Sequence, residues 1–133
     1  MLPAVEKEDR TMKHMLMLFA DTNAGAKIPA DEMAKWMEKM GTYQIALEKA
    51  GAYVTHGGLA PYWDATTVNL DSAGAMQVHD GPYAETREQL GGFFIIDVPD
   101  MATAQKWAAQ CPGAIWGHIE VRPFSSYPAP EVS

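Results

Sequence analysis

The chain has 133 residues, 47% of them hydrophobic, enough for one globular domain whose core needs neither a metal nor a disulfide. Its single cysteine, Cys111, excludes an intrachain disulfide, and a net charge of -7 argues against nucleic-acid binding that rests on overall charge. No apolar run is long enough to span a bilayer and the first twelve residues hold no apolar leader, so a soluble, cytoplasmic protein without membrane contact is expected.

Residues 1–11, with the mixed-sign run Glu6-Lys7-Glu8-Asp9-Arg10, read as a flexible extension, and the domain is expected to span residues 12–124. Lys13 to Ala20 is almost continuously apolar and suits a strand buried on both faces. A loop with Asn23 and Gly25 leads to Pro29, which is placed for the first helical position, with Asp31 and Glu32 in the first turn. Met33, Trp36, Met37, Met40, Tyr43 and Leu47 recur at helical spacing, and Gly51 closes that helix.

Ala52 to His56 predicts a short strand broken by Gly57-Gly58. Thr66–Leu70 and Ala75–His79 predict a hairpin around Asp71-Ser72-Ala73-Gly74. Thr86 and Gln89 match the capping box of a short helix, and Gly91-Gly92 a tight turn into a strand over Gly92–Val98. Asp100 caps a second helix with Met101, Ala104, Trp107, Ala108 and Cys111 as its buried stripe, stopped by Pro112-Gly113. Ile115 to Phe124 alternates as a last strand, and residues 125–133 form a proline-containing tail.

Strand, helix, strand, inserted hairpin, strand, helix, strand describes an α+β ferredoxin-like sandwich: a mainly antiparallel sheet with two helices on one face. The strands holding Met15 to Phe19 and Phe93 to Ile96 are apolar on both sides, and a second copy packed sheet against sheet would cover what the helices leave open, so a homodimer is expected.

The densest local instruction is His79-Asp80-Gly81-Pro82-Tyr83-Ala84-Glu85-Thr86-Arg87-Glu88-Gln89-Leu90-Gly91-Gly92-Phe93. Asp80 can act as an acid, a base or a ligand, or as the first residue of an Asp-Gly-Pro turn whose carboxylate accepts from backbone N–H groups. Arg87 can clamp a carboxylate or lie on a solvated face. His79 adjoins Asp80 and His56 ends a strand, so His56, His79 and Asp80 form the constellation whose convergence would make a site. Each of these histidines can equally be structural. Trp63, in Pro61-Tyr62-Trp63-Asp64, can line an aromatic pocket or cover the sheet edge. Scattered histidines without ligand spacing predict no metal site, and the glycine pair lacks the pattern of a phosphate loop, so no cofactor is expected.

The segment Asp80–Phe93, the start Met12-Lys13-His14-Met15-Leu16 and the ending Ile119-Glu120-Val121-Arg122-Pro123 resemble the YCII-related family, in its DGPF-domain branch. The resemblance implies a dimeric α/β-barrel. The usual phenylalanine of the motif is Tyr83 here, a candidate ligand contact. The His-Asp pair that the other branch carries on its helices has no counterpart, since the first helix holds Trp36, Tyr43 and Gln44 and the second holds Gln110. Two functions follow as expectations. One is a cofactorless enzyme acting by acid/base chemistry on a small anionic or ring-containing molecule. The other is a non-catalytic small-molecule-binding or regulatory module.

Overall fold

The computed structural model of the protein describes residues 12–22, 28–84 and 86–125. The expected extension over residues 1–11, the loop at Asn23 and Gly25, Glu85, and the tail beyond Ser125 lie outside the described residues.

Strand β1 (Met12–Asp21) alternates from His14 onward: His14 and Leu16 are buried while Met15 and Met17 are half-buried on the opposite face. It lies antiparallel to β5 (Glu88–Val98) on one side and to β6 (Gly117–Pro123) on the other. Strand β2 (Tyr53–Gly58) pairs antiparallel with the far edge of β5, giving the order β2-β5-β1-β6. The fold is a mixed α+β arrangement with two helices and an antiparallel sheet.

Helix α1 (Ala30–Lys49) begins one residue later than the sequence predicts, with Pro29 in the capping position and no side-chain cap; Asp31 and Glu32 supply the first-turn charge. It ends at Gly51, whose φ of 72° only glycine adopts freely. Helix α2 (Met101–Gln110) is capped as expected, Thr103 N–H donating to Asp100 Oδ1 at 2.8 Å. Tyr43 and Leu47 of α1, Ala104, Trp107 and Ala108 of α2, and Leu16, Phe94, Ile96 and Val98 of the sheet form one buried cluster. Since the sheet members alternate along their strands, both helices cover the same sheet face. Burial falls off toward the start of α1, where Met37 is 65% exposed.

The hairpin forms as predicted, β3 (Thr66–Leu70) against β4 (Met76–Asp80), as a ribbon separate from the main sheet. Asp71 sets its turn by accepting from the N–H groups of Ala73 and Ala75 at 2.9 Å.

Four expectations need correction. Thr86 and Gln89 do interact, Gln89 Nε2 donating to Thr86 Oγ1 at 3.2 Å, but they do so in a loop and at the start of β5, with no helix between. The strand reaches back to Glu88 because β1 continues to Asp21 and offers a partner all the way, Ala20 to Gln89 and Asp21 to Glu88. The glycine pairs belong to the strands: Gly57-Gly58 are the last two residues of β2, paired with Phe93 and Gly92, and Gly91-Gly92 lies inside β5. Ile115 is not on a buried strand face; it sits in the turn before β6 and is 72% exposed.

Candidate functional site

A cavity of about 390 Å³ opens between α1 and the β2–β5 edge of the sheet. Its helix wall is Met37, Met40, Gly41 and Gln44, spaced i, i+3, i+4, i+7 and therefore on one face of α1. Its sheet wall is Gly57, Gly58, Gly91 and Gly92 with Phe93 and Phe94, and Leu18 closes the end toward β1. Gly58 pairs with Gly92 across the ladder, so two adjacent strands present bare peptide at the same level. Gly58 and Gly92 lie on the sheet face turned to α1, whereas Gly57 pairs with Phe93 and a side chain there would meet that ring on the opposite face.

Packing accounts for two of them. A Cβ at Gly57 would come to 2.9 Å from the Phe93 ring, and one at Gly92 to 2.9 Å from the Gly57 carbonyl oxygen. Gly41 and Gly58 differ: a Cβ at either meets no atom within 4 Å.

Among the described residues, His56 is the ionisable one that lines this cavity. It pairs with Phe94 across the ladder and stacks on that ring, with centroids 5.3 Å apart and planes 22° apart. Its Nδ1 lies 2.6 Å from the Tyr53 hydroxyl. A shift of register between Tyr53 and Thr55 turns both residues to the helix side. A hydroxyl can donate to Nδ1 or accept from it, so either imidazole tautomer is supported and Nε2 can take or give a proton.

The other candidates sit elsewhere. His79 pairs with Thr67 in the ribbon and Asp80 ends β4; both are exposed and neither lines the cavity with His56. The Asp-Gly-Pro turn is held by backbone and by Thr67 rather than by the carboxylate: Gly81 takes φ 109°, its N–H donates to Ala65 O at 2.6 Å, and Thr67 Oγ1 donates to Gly81 O at 2.8 Å. Asp80 itself accepts no hydrogen bond among the described residues. Tyr83 is 92% exposed. Arg87 bonds Asp21 at 2.9 Å, which raises the guanidinium's pKa and ties the start of β5 to the end of β1. Trp63 lines a second hollow of about 490 Å³ with Asp21, Leu59, Tyr62 and Leu90, and Gly91 borders both spaces.

Tyr53, Gly41 and Gln44 escape sequence reasoning. Strand alternation puts residues three apart on opposite faces, and only the bulge brings Tyr53 beside His56. Gly41 left a signal, a glycine on the apolar side of an otherwise regular helix. Burial keeps the Cys111 thiol protonated by raising its pKa, consistent with a core role. Among the described residues no group of three or more His, Cys, Asp or Glu side chains could hold a metal, and no helix is long and apolar enough to cross a membrane.

With these elements in place, residues 12–127, from β1 through β6, match the YCII-related domain. The chain belongs to the YCII-related family. A protein of Rhizobium meliloti (strain 1021), described as uncharacterized, is similar to this YCII-related chain: 31% identical over 118 residues, covering 87% of this chain and 94% of that protein.

Proposed function

We propose that this YCII-related protein is a small cofactorless enzyme that moves a proton on a small organic molecule held between α1 and the β2–β5 edge, with His56 as the acid/base residue. The observation that carries the reading is the His56–Tyr53 pair at 2.6 Å on the rim of an apolar cavity bordered by bare peptide. His56 Nε2 takes a proton from the bound molecule and returns it at a second position. Tyr53 accepts the Nδ1–H bond meanwhile, so the imidazolium does not lose its partner. Of the three catalytic candidates, His56 carries this role. Asp80 and His79 stand on the exposed end of the ribbon and would join only if β4 folded over the cavity.

The finer structural readings support one another. The order β2-β5-β1-β6 with all neighbours antiparallel supports a ferredoxin-like sandwich. Met15, Met17, Phe19, Phe93 and Ile95 share the outer sheet face, which a second copy would cover in a homodimeric barrel. Asp80-Gly81-Pro82 and the run to Phe93 support the DGPF branch, with the domain ending near Phe124.

The test is deuterium exchange. Cyclic ketones and lactones incubated with the protein in D2O would gain deuterium next to the carbonyl faster than in buffer, and His56→Gln would abolish the gain. A second reading, a non-catalytic binding module, draws on the single ionisable side chain that lines the cavity among the described residues. It gains if compounds perturb the amides of Gly57, Gly58, Gly91 and Gly92 while no exchange occurs.

A further inference from the structure

Gly41 and Gly58 line the same cavity, and the protein's own packing explains neither. Gly41 lies twelfth in a helix of twenty residues, where glycine costs stability relative to alanine, about 0.5–1 kcal/mol. A Cβ there meets nothing within 4 Å, so no neighbour forbids a side chain. Gly58 has the same freedom. By the ladder it lies at the level of Gly92, and by alternation from His56 it presents the same side of β2 as the histidine, toward α1. Both border one cavity, and among the described residues that line it there is no lysine, arginine, aspartate or glutamate.

The shape follows from these walls. Gly58 opposite Gly92, continued by Gly57 and Gly91, makes a floor with no side chains. Met37, Met40 and Gly41 make an adaptable roof, and the stacked His56–Phe94 pair makes one polar-tipped end. A slot between a floor without side chains and a glycine in the roof suits a thin ligand better than a puckered one. The absence of lining cations disfavours a carboxylate or phosphate, and the lone imidazole suits one oxygen function.

We infer that the cavity takes a flat, uncharged aromatic ring bearing a hydroxyl or carbonyl oxygen, its plane lying over Gly58–Gly92 beneath Gly41 and its oxygen at His56 Nε2. This rests on the cavity being a ligand site, as proposed above, and not on catalysis. Gly41 and Gly58 lack side chains because the ligand occupies that space.

The probe is 2-naphthol, paired with decahydro-2-naphthol, which keeps the carbon skeleton and the oxygen but is puckered. Binding to the full chain is followed by NMR at the amides of Gly41, Gly57, Gly58, Gly91 and Gly92. The naphthol should perturb these amides and bind about tenfold or more tightly than its saturated analogue. Gly58→Val and Gly41→Leu should each weaken naphthol binding by about tenfold or more while the thermal unfolding transition stays cooperative. The second is a better helix former than the residue it replaces, so a folded variant is in hand even if the first is damaged.

Equal binding of the two alcohols at these amides would overturn the flat-ring assignment and leave the cavity as a ligand site. Unchanged naphthol affinity in Gly41→Leu and Gly58→Val would overturn the placement. Failure of both alcohols to perturb any of the five amides would overturn the assignment and the cavity reading together.

Discussion

Tyr53 and His56, three residues apart on β2, face the same side of the sheet because the strand carries a register shift between them, and the hydroxyl of the first meets Nδ1 of the second at 2.6 Å. A regular strand would send one ring toward the helices and the other toward the outer face. The bulge converts an unremarkable i, i+3 pair into a histidine whose orientation is fixed by a neighbour that can either donate or accept.

If that pair carries proton transfer, its two halves have separable effects. His56→Gln removes the base and should lower the exchange rate on an active ketone or lactone by about 10²–10⁴-fold. Tyr53→Phe keeps the base and removes only its partner, so it should lower kcat by less, leave KM nearly unchanged, and alter the tautomer ratio of His56 read from its ring nitrogen shifts. Equal losses in both variants, or a Tyr53→Phe effect confined to KM, would show that the tyrosine holds the substrate instead.

Gly41→Ala should raise stability. The methyl meets no atom within 4 Å, and the helix interior gains about 0.5–1 kcal/mol from the change, a rise in melting temperature of about 2–4 °C. Differential scanning calorimetry on the ligand-free protein is the measurement. An unchanged or lowered melting temperature would mean that α1 meets a steric or assembly constraint at this position.

Most of the fold is legible in the sequence because its signals are local and strong. The apolar runs at Met15–Phe19 and Phe93–Ile96, the Asp100 cap, and the Asp71 turn each dictate their own element. The site is less legible because it is made of absences and of pairing. Gly57-Gly58 and Gly91-Gly92 read as strand breakers in isolation, yet pairing with β5 keeps the first pair in β2 and pairing with β1 and β2 carries β5 through the second, a tertiary pairing that overrides local preference. Thr86 and Gln89 have the spacing of a helix start for the same reason that they bond each other in a loop. His79 and Asp80 open the densest motif, but β4 carries them into the ribbon, away from His56, a separation that no local pattern encodes.

Asp100 should give the protein part of its acid sensitivity. Hydrogen bonds from the Thr103 hydroxyl and N–H hold its carboxyl below the ordinary 3.8. The folded state therefore favours the ionised form, and the stabilisation is fully present above the unfolded pKa and lost as pH falls through the lower, folded one. Asp100→Asn retains an oxygen for the cap but cannot titrate. Unfolding free energies measured from pH 7 down to pH 2 should converge for the two proteins at the acid end and separate above pH 4. Parallel curves throughout would assign the acid sensitivity to other carboxyls.

Tyr43 joins the two helices through a single hydrogen bond whose position explains its weight. The last carbonyls of a helix lack intrahelical partners, and in α2 the Cys111 N–H turns to Ala108 O at 3.1 Å instead of reaching Trp107 O. The Tyr43 hydroxyl takes that carbonyl, donating to Trp107 O at 2.7 Å in the core, where burial drives its pKa far above the ordinary 10.0 and keeps the proton in place. The ring also meets Phe94 edge-on at 5.2 Å between centroids. Tyr43→Phe preserves the ring contacts and leaves a buried carbonyl without a donor, which costs about 1–3 kcal/mol. Urea unfolding should show that loss as a lower midpoint with an unchanged slope, since the surface exposed on unfolding is the same. A loss of only a few tenths would mean that water reaches Trp107 O once the hydroxyl is gone, and that the α1–α2 contact is held by packing of Tyr43 and Trp107 alone.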